Sequence, residues 1–368
     1  MVLATRKSLF ASAYGPHIYL TNGKESTTLS ASAQVVALAF NADGTILLAV
    51  SQDKKLAAYK VETQPHLTTV LAESREVPRN TTSMVTTTYT HDGASQEAVL
   101  IAVNAGEVMA YPLPGMAAHD GKSLLAHTTS IITDVAISTD GSLFLSADRD
   151  EKIRVSNFPA TTLVQSYCLG HRQCVRKLAT SVRSPSLFVS VGLDDTLKLW
   201  DMTTGELLDS ANVVADADAD TKQCSLSVCP RTNRVALVRN SSTQVDLFEI
   251  HDRKLRHHVR HTPPTDGAQP THVQFLADGH LVIGYKQTPF VQLVDAAAWK
   301  ALELPHVAAF ANLAKDTVLA GDANDEDGDS DEGELRKKKL KASHWKPKGP
   351  KGKGNKDDAA IAADADDE

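Results

Sequence analysis

The chain has 368 residues, of which 42% are hydrophobic, and a formal net charge of −7 at pH 7. This composition supports a large buried core, and the negative charge argues against nucleic-acid binding over the whole surface. No apolar run approaches the roughly 20 residues that cross a bilayer, and no apolar stretch follows Arg6 and Lys7 as in a secretory signal. We therefore expect a soluble intracellular protein without membrane association.

Short strand-like segments separated by turns follow in chain order. Two early strands span residues 8–14 and 17–20, and a longer unit spans 35–60. In that unit the turn Asn41-Ala42-Asp43-Gly44 is typical of a hairpin, and Asp53 precedes Tyr59 by six positions. A weaker unit of alternating apolar residues covers 83–111. The alternation predicts half-buried β-strands.

The next two units repeat each other most clearly. The unit 170–201 opens with Gly170-His171 and closes with Trp200-Asp201, the G-H…W-D signature of WD repeats. His127 lies 44 residues before His171, and Asp150 lies 44 residues before Asp194. Both units therefore have the same internal spacing.

Weaker units at 223–249 and 271–295 and a short one at about 302–320 complete the array. The sequence predicts an all-β, seven-bladed WD-repeat β-propeller over residues 1–321, at roughly 40–45 residues per blade. We expect the early strands to complete the last blade and so close the ring without exposed sheet edges.

Buried polar side chains are expected to join into hydrogen-bonded networks inside two blades, because an unsatisfied buried group costs about 1–3 kcal/mol. The spacing predicts these structural groups: His171, Ser190, Asp194 and Trp200 in one blade, and His127, Ser146 and Asp150 in the blade before it. Ser156 stands where that earlier blade would carry Trp. These residues are interpreted as structural rather than catalytic.

The run from Ser146 to Ser156 reads S-A-D-R-D-E-K-I-R-V-S and is followed by Cys168-Leu169-Gly170-His171. This segment resembles the WD-repeat, non-catalytic subunit of tRNA (guanine-N7) methyltransferase, the Trm82-like family. The close resemblance covers about residues 124–208. Elsewhere only the strand pattern fits.

The resemblance implies a scaffold that binds a separate catalytic methyltransferase subunit as a heterodimer. The complex would methylate N7 of a guanine in the tRNA variable loop. By position, the implied partner contacts are Arg149, Glu151, Lys152 and Arg154. The alternative for this strand is a solvated face with Glu151 paired to Arg154. Just past His171, a basic rim made by Arg172, Arg176 and Lys177 is a candidate RNA contact.

Residues 322–368 lack periodic apolar residues and are expected to be disordered. Eight acidic residues in 322–334 precede ten Lys or Arg in 335–356. The cluster Lys337, Lys338, Lys339 and Lys341 is typical of a nuclear localisation signal, so we expect a nuclear protein, with a cytoplasmic pool also compatible. Trp345, Lys346 and Lys348 are candidate RNA contacts through stacking and phosphate pairing.

No G-x-G-x-x-G follows a strand, so S-adenosylmethionine is expected on the partner subunit and no cofactor on this chain. The four cysteines lack the C-x-x-C spacing of a zinc site. Cys168, His171 and Cys174 lie close in sequence, but His171 is interpreted as structural and the cysteines as buried apolar residues, so no metal is expected. Two other readings stay open: a nuclear WD-repeat scaffold in ribosome assembly, and a ubiquitin-ligase substrate receptor. An enzyme site at the central channel is disfavoured because no cluster of acids, bases or metal ligands emerges.

Overall fold

A computed structural model describes residues 1–304 apart from 92–93, 128–129, 214–223, 240–241, 264–267 and 288–289. The predicted domain boundary at 321/322 and the tail 322–368 lie outside the described residues. Within them, the strands form seven four-stranded antiparallel sheets, each built from consecutive strands. The predicted seven-bladed β-propeller is confirmed. None of the described segments is a helix long and apolar enough to cross a membrane.

The first three sheets, blades 1 to 3, have these strands: β1 Val2–Arg6, β2 Leu9–Tyr14, β3 His17–Thr21, β4 Ser26–Ser30; β5 Val35–Phe40, β6 Ile46–Ser51, β7 Lys55–Glu62, β8 Thr68–Glu76; β9 Thr81–His91, β10 Ala94–Val103, β11 Glu107–Leu113, β12 Lys122–Ala126. In each blade the first strand lines the central channel and the fourth forms the outer edge.

The remaining sheets, blades 4 to 7, have these strands: β13 Ile132–Ile137, β14 Leu143–Asp148, β15 Lys152–Asn157, β16 Val164–Leu169; β17 Val175–Thr180, β18 Leu187–Gly192, β19 Thr196–Asp201, β20 Leu207–Asn212; β21 Cys224–Val228, β22 Arg234–Arg239, β23 Val245–His251, β24 Lys254–His261; β25 Pro270–Phe275, β26 Leu281–Tyr285, β27 Val291–Asp295, β28 Lys300–Leu302. The loops between first and second strands and between third and fourth strands share one side of the ring, called here the lower face.

The core lies between neighbouring blades rather than at the centre of the ring. Between blades 4 and 5, for example, Leu145, Ile153 and Val155 pack against Phe188 and Trp200, all fully buried. Alternate residues of each strand point to opposite faces, so every blade buries one apolar set on each neighbour. The central channel, with a volume of about 520 Å³, is lined by the first strands of all seven blades.

The prediction that the early strands complete the last blade is wrong, and the predicted unit at about 302–320 lies outside the described residues beyond residue 304. The early strands form a complete sheet of their own, and the last described sheet is completed by its own fourth strand, β28. The first and last blades meet through side chains: the Thr5 hydroxyl donates to the Phe275 carbonyl at 3.0 Å, and Phe10 and Tyr19 pack with Phe290. Strand alternation predicts that a segment is a strand but not which sheet it joins. The sequence alone therefore does not distinguish early strands that form a blade of their own from early strands that complete the last blade.

Candidate functional site: the charged outer flank of blade 4

The buried hydrogen-bonded network of blade 5 has the four members that the spacing predicted. His171 Nε2 lies 2.7 Å from Ser190 Oγ, and His171 Nδ1 lies 3.0 Å from Asp194. Trp200 Nε1 donates to Ser190 Oγ at 2.8 Å. Because every member is bonded within the blade, these side chains fix the position of the loop at His171 against the turn at Asp194.

Burial raises the pKa of the Asp194 carboxyl, but hydrogen bonds from His171, the Arg172 amide and Thr196 outweigh that effect and hold its pKa well below the usual value. Thr196 Oγ1 donates to Asp194 Oδ1 at 2.7 Å, and the Arg172 amide donates to Oδ2 at 2.9 Å. A carboxylate with this many donors remains ionised at neutral pH and is unsuited to act as a general base.

The acid predicted for blade 4 is wrong. His127 Nδ1 lies 3.1 Å from Asp148, and His127 Nε2 lies 2.9 Å from Ser146 Oγ, whereas Asp150 is exposed in the turn. Asp148 occupies the strand position that Gly192 has in blade 5, as the spacing of 44 residues shows. A Cβ at Gly192 would lie 2.6 Å from His171 Nδ1, so a side chain grown from this position points directly at the histidine.

The charged turn and strand of blade 4 place the four predicted contact residues in different environments. Glu151 and Lys152 are exposed, and Glu151 has a φ of 74°, as tight turns require. Arg149 is partly exposed, and its Nε lies 4.0 Å from Asp150 Oδ1. Glu151, Lys152 and Arg149 are therefore available to a partner.

Arg154 is held within its own blade. Its Nε donates to Ser156 Oγ at 3.0 Å and its Nη2 donates to the Thr161 carbonyl at 2.8 Å. The alternative pairing with Glu151 is not the one observed. Both acceptors are neutral, so the positive charge of Arg154 remains uncompensated by these contacts and its half-buried guanidinium presents that charge at the flank.

Exposed apolar side chains lie beside these charges on the outer strand β16. The sheet register pairs Lys152 with Leu169 and Arg154 with Tyr167, so all four share the face toward blade 3. Tyr167 is 51% exposed and Leu169 is 64% exposed. We call Lys152, Arg154, Tyr167 and Leu169 the blade-4 flank. The alternation of exposed Tyr167 and Leu169 about buried Cys168 was the sequence signal for it.

The three residues of the predicted basic rim do not share one surface. Arg172 is exposed and Arg176 is half-buried near Cys174. Lys177 lines the central channel, where its Nζ lies 3.1 Å from Asp134 Oδ1. Its charge is compensated there, which leaves Arg172 and Arg176 as the two rim candidates.

The remaining predicted residues lie outside the described residues: Trp345, Lys346 and Lys348, and the basic cluster Lys337, Lys338, Lys339 and Lys341. Among the described residues, no group of three or more His, Cys, Asp or Glu side chains is arranged to hold a metal ion. Burial, followed by the charge of Asp201, raises the pKa of Cys168 to about 12, so this thiol stays protonated and is a poor ligand.

Residues 114–246, which contain the blade-4 flank, match the family model described as the tRNA methyltransferase TRM82 WD40 domain. The predicted resemblance is confirmed over this segment. Residues 23–59 match the WD domain, G-beta repeat. The segment thus contains the charged run on which the resemblance was based, although it covers less than half of the chain.

Relatives that are similar to the chain include the tRNA (guanine-N(7)-)-methyltransferase non-catalytic subunit WDR4 of Homo sapiens, 29% identical over 240 residues, which are 63% of this chain and 55% of that protein. The Bos taurus protein of the same name is 33% identical over 47% of this chain and 39% of its own length. The non-catalytic subunit wuho of Drosophila mojavensis is 44% identical over 85 residues, 23% of this chain and 22% of that protein.

The chain spans about half the length, or less, of these curated relatives. Among solved structures, a chain of the mitotic checkpoint complex superposes with a TM-score of 0.59 at 16% identity, over 77% of this chain and 86% of that one. At this identity the likeness shows the propeller fold alone.

Proposed function

We propose that this chain is the non-catalytic scaffold subunit of a tRNA (guanine-N7) methyltransferase. The observation that carries the proposal is the match of residues 114–246 to the TRM82 WD40 domain, together with relatives named as non-catalytic subunits of that enzyme. The blade-4 flank lies inside the matched segment and combines charge with exposed apolar surface.

The blade-4 flank has the composition of a docking surface. Interface cores are enriched in aromatic residues and Arg, and Tyr and Arg are common among residues that dominate binding energy. Tyr167 and Leu169 supply apolar area, while Lys152 and Arg154 supply positive charge for carboxylates of the partner. The catalytic subunit would bind here as a heterodimer, with Arg149 and Glu151 at the edge of the contact.

The division of chemistry follows from this assignment. S-adenosylmethionine would be held by the catalytic subunit, and the propeller would hold that subunit in an active shape. The complex would methylate N7 of a guanine in the tRNA variable loop. The basic cluster from Lys337 to Lys341 would direct the protein to the nucleus, with a cytoplasmic pool also compatible.

The test is a pair of charge and polarity reversals on the blade-4 flank. The double variant Lys152→Glu with Leu169→Glu should weaken binding of the methyltransferase by at least tenfold in calorimetry, because both exposed residues lie at the proposed contact. Arg154 is unsuitable for this test because its hydrogen bonds also stabilise the blade.

The matched control is Lys24→Glu with Leu71→Glu, which makes the same changes at exposed positions of blades 1 and 2. The control should bind the methyltransferase normally, and cells that carry it should retain N7-methylguanosine in tRNA. Affinity purification of the full chain, followed by mass spectrometry, should recover the methyltransferase. Recovery of pre-ribosomal proteins or a ligase adaptor without a methyltransferase would contradict the proposal.

A further inference from the structure

The outer edge of blade 6 is rich in basic residues and, unlike the blade-4 flank, has little exposed apolar surface. Residues 251–261 include Arg253, Lys254, Arg256 and Arg260 and a single acid, Asp252. The same eleven residues contain four of the chain's 14 histidines. Because residues 1–321 as a whole contain 28 basic and 31 acidic residues, this segment is a local concentration of positive charge in a nearly neutral fold.

The cations of this edge differ in how far they are neutralised. Arg253 pairs with Asp201 at 3.1 Å and Arg260 pairs with Asp246 at 2.7 Å. Lys254 donates to the neutral Leu208 carbonyl at 3.3 Å and is exposed. Arg256 is also exposed, and Glu249 lies opposite it in the sheet register, although no ion pair joins these two described residues. Among the cations of this edge, Lys254 and Arg256 are therefore the two that form no ion pair in the described residues, and a neighbouring carboxylate, that of Asp209, accepts a hydrogen bond from the Leu255 amide at 2.8 Å.

A row of arginines continues this charge along the lower face. Arg183 donates to the Arg231 carbonyl at 2.9 Å, and Arg231 donates to the Asp278 carbonyl at 3.0 Å. Each bond crosses from one blade to the next, from blade 5 to blade 6 and on to blade 7. The acceptors are backbone carbonyls, so these hydrogen bonds fix the guanidinium groups without cancelling their charge.

A cleft of about 450 Å³ joins the row to the edge. Arg183 lines one side, and His251 and Arg253 line the other. Glu249 and Asp252 also line the cleft, and Asp252 lies 2.8 Å from His251 Nδ1. The cleft opens where the turn between β23 and β24 meets the lower face, so the two sets of cations form one surface.

We propose that this surface, defined by Arg183, Arg231, Arg253, Lys254 and Arg256 and called the blade-6 basic edge, binds the phosphate backbone of RNA. The inference rests on the proposed function, which makes tRNA the substrate of the complex. A row of cations suits an extended polyanion better than a compact anion, since alternate residues of a strand are spaced by about 6.6 Å.

The lack of apolar surface favours RNA over an acidic protein. Protein interfaces bury an apolar core, and exposed large apolar side chains lie mostly on blades 2, 4 and 5, among them Leu71, Leu169 and Leu207. On the blade-6 edge, Val259 alone among the described residues is such a side chain, at 38% exposure. Blade 5 lies between the outer edges of blades 4 and 6, and the blade-6 edge shares no residue with the blade-4 flank.

The test uses the full chain and an unmodified tRNA transcript in fluorescence anisotropy at several salt concentrations. The variant Lys254→Glu with Arg256→Glu should weaken binding about tenfold or more. The slope of log affinity against log salt should become shallower by about 0.7–0.9 for each phosphate contact that is lost. All variants keep residues 322–368, so the lysines there contribute equally to each measurement.

The matched control is Lys24→Glu with Arg79→Glu, the same residue types at exposed positions of the first two blades. If both pairs of substitutions weaken tRNA binding equally, the effect comes from the net charge of the protein and not from this surface, which would overturn the proposal. Unchanged tRNA binding by the first pair, or binding of poly-glutamate in place of tRNA, would overturn it as well. Both pairs should still bind the methyltransferase. Failure of the unsubstituted chain to bind that subunit would count against the proposed function instead, whatever the result with tRNA.

Discussion

Blades 4 and 5 follow one template and differ at the position where blade 5 has Trp200 and blade 4 has Ser156. In blade 5 the indole fills the outer part of the seam between the two blades and completes the hydrogen-bonded network at Ser190. In blade 4 the serine instead accepts a hydrogen bond from Arg154. Blade 5 also has a cation at the position of Arg154, but this residue, Lys198, is buried and donates to Ser210 Oγ at 3.1 Å, whereas Arg154 is half-buried beside the small Ser156.

The two blades also anchor their histidines from different positions. Blade 5 uses Asp194 in the turn and keeps Gly192 beneath the ring, whereas blade 4 uses Asp148 at the glycine position and leaves Asp150 in solvent. Moving the acid out of the turn in blade 4 leaves its turn free to display charge. The comparison teaches that a blade keeps its hydrogen-bonded network when the acid moves by two residues, from the turn to the end of the preceding strand, and that the turn can then expose its charges.

The largest effect on the free energy of unfolding is expected when Trp200 is replaced. Trp200→Ser gives blade 5 the residue of blade 4 and should lower the free energy of unfolding by about 3–5 kcal/mol, because it empties a fully buried volume and removes the donor to Ser190. Urea denaturation followed by circular dichroism measures the change. A loss of unfolding free energy below about 1 kcal/mol would mean that the packing between blades 4 and 5 accommodates either Trp or Ser at this position.

The second effect distinguishes the two acids of blade 4. Asp148→Ala should cost about 1–3 kcal/mol of unfolding free energy, because it leaves His127 without its partner and removes the acceptor of the Lys152 amide. Asp150→Ala should change stability by less than about 0.5 kcal/mol, as is usual at an exposed position. The same denaturation assay compares both variants. An equal loss of unfolding free energy in the two variants would indicate that Asp150 also belongs to the hydrogen-bonded network of blade 4.

The smallest effect concerns pH. Asp194 has a pKa below that of an unfolded chain, so the folded state binds fewer protons there and the stabilisation is present above about pH 4. It is lost as pH falls through the folded pKa. The stability difference between the wild-type protein and Asp194→Asn should therefore be level near neutral pH and narrow below about pH 4. A difference that grows on acidification would contradict the assigned direction.

The sequence predicted the number of blades because the 44-residue spacing and strand alternation are local features. It failed on pairings that depend on tertiary contacts. Asp148 and Asp150 are both acidic and only two residues apart, at the end of β14 and in the following turn, and only the folded structure shows which carboxylate reaches His127. Likewise, the charge pattern indicated Arg154 as a contact residue but not its bonds to Ser156 and Thr161, which require the folded loop.

The exposed apolar part of the blade-4 flank was visible in the sequence only as Tyr167-Cys168-Leu169. Alternation shows that Tyr167 and Leu169 share a face, but exposure depends on the absence of a further strand beyond β16. The blade-6 basic edge depends even more on tertiary structure, since Arg183 and Arg253 are 70 positions apart in sequence and meet only across the cleft.

Every blade is completed by its own four strands, and this has a mechanical consequence for the ring. Between the first and last blades, the described contacts are a hydroxyl donor at Thr5 and packed side chains such as Phe10 and Phe290, with no shared ladder of backbone hydrogen bonds. A force applied between residues 1 and 304, the two ends of the described chain, therefore acts on this junction first. The ring would open between blades 1 and 7, while each four-stranded sheet keeps its own backbone hydrogen bonds.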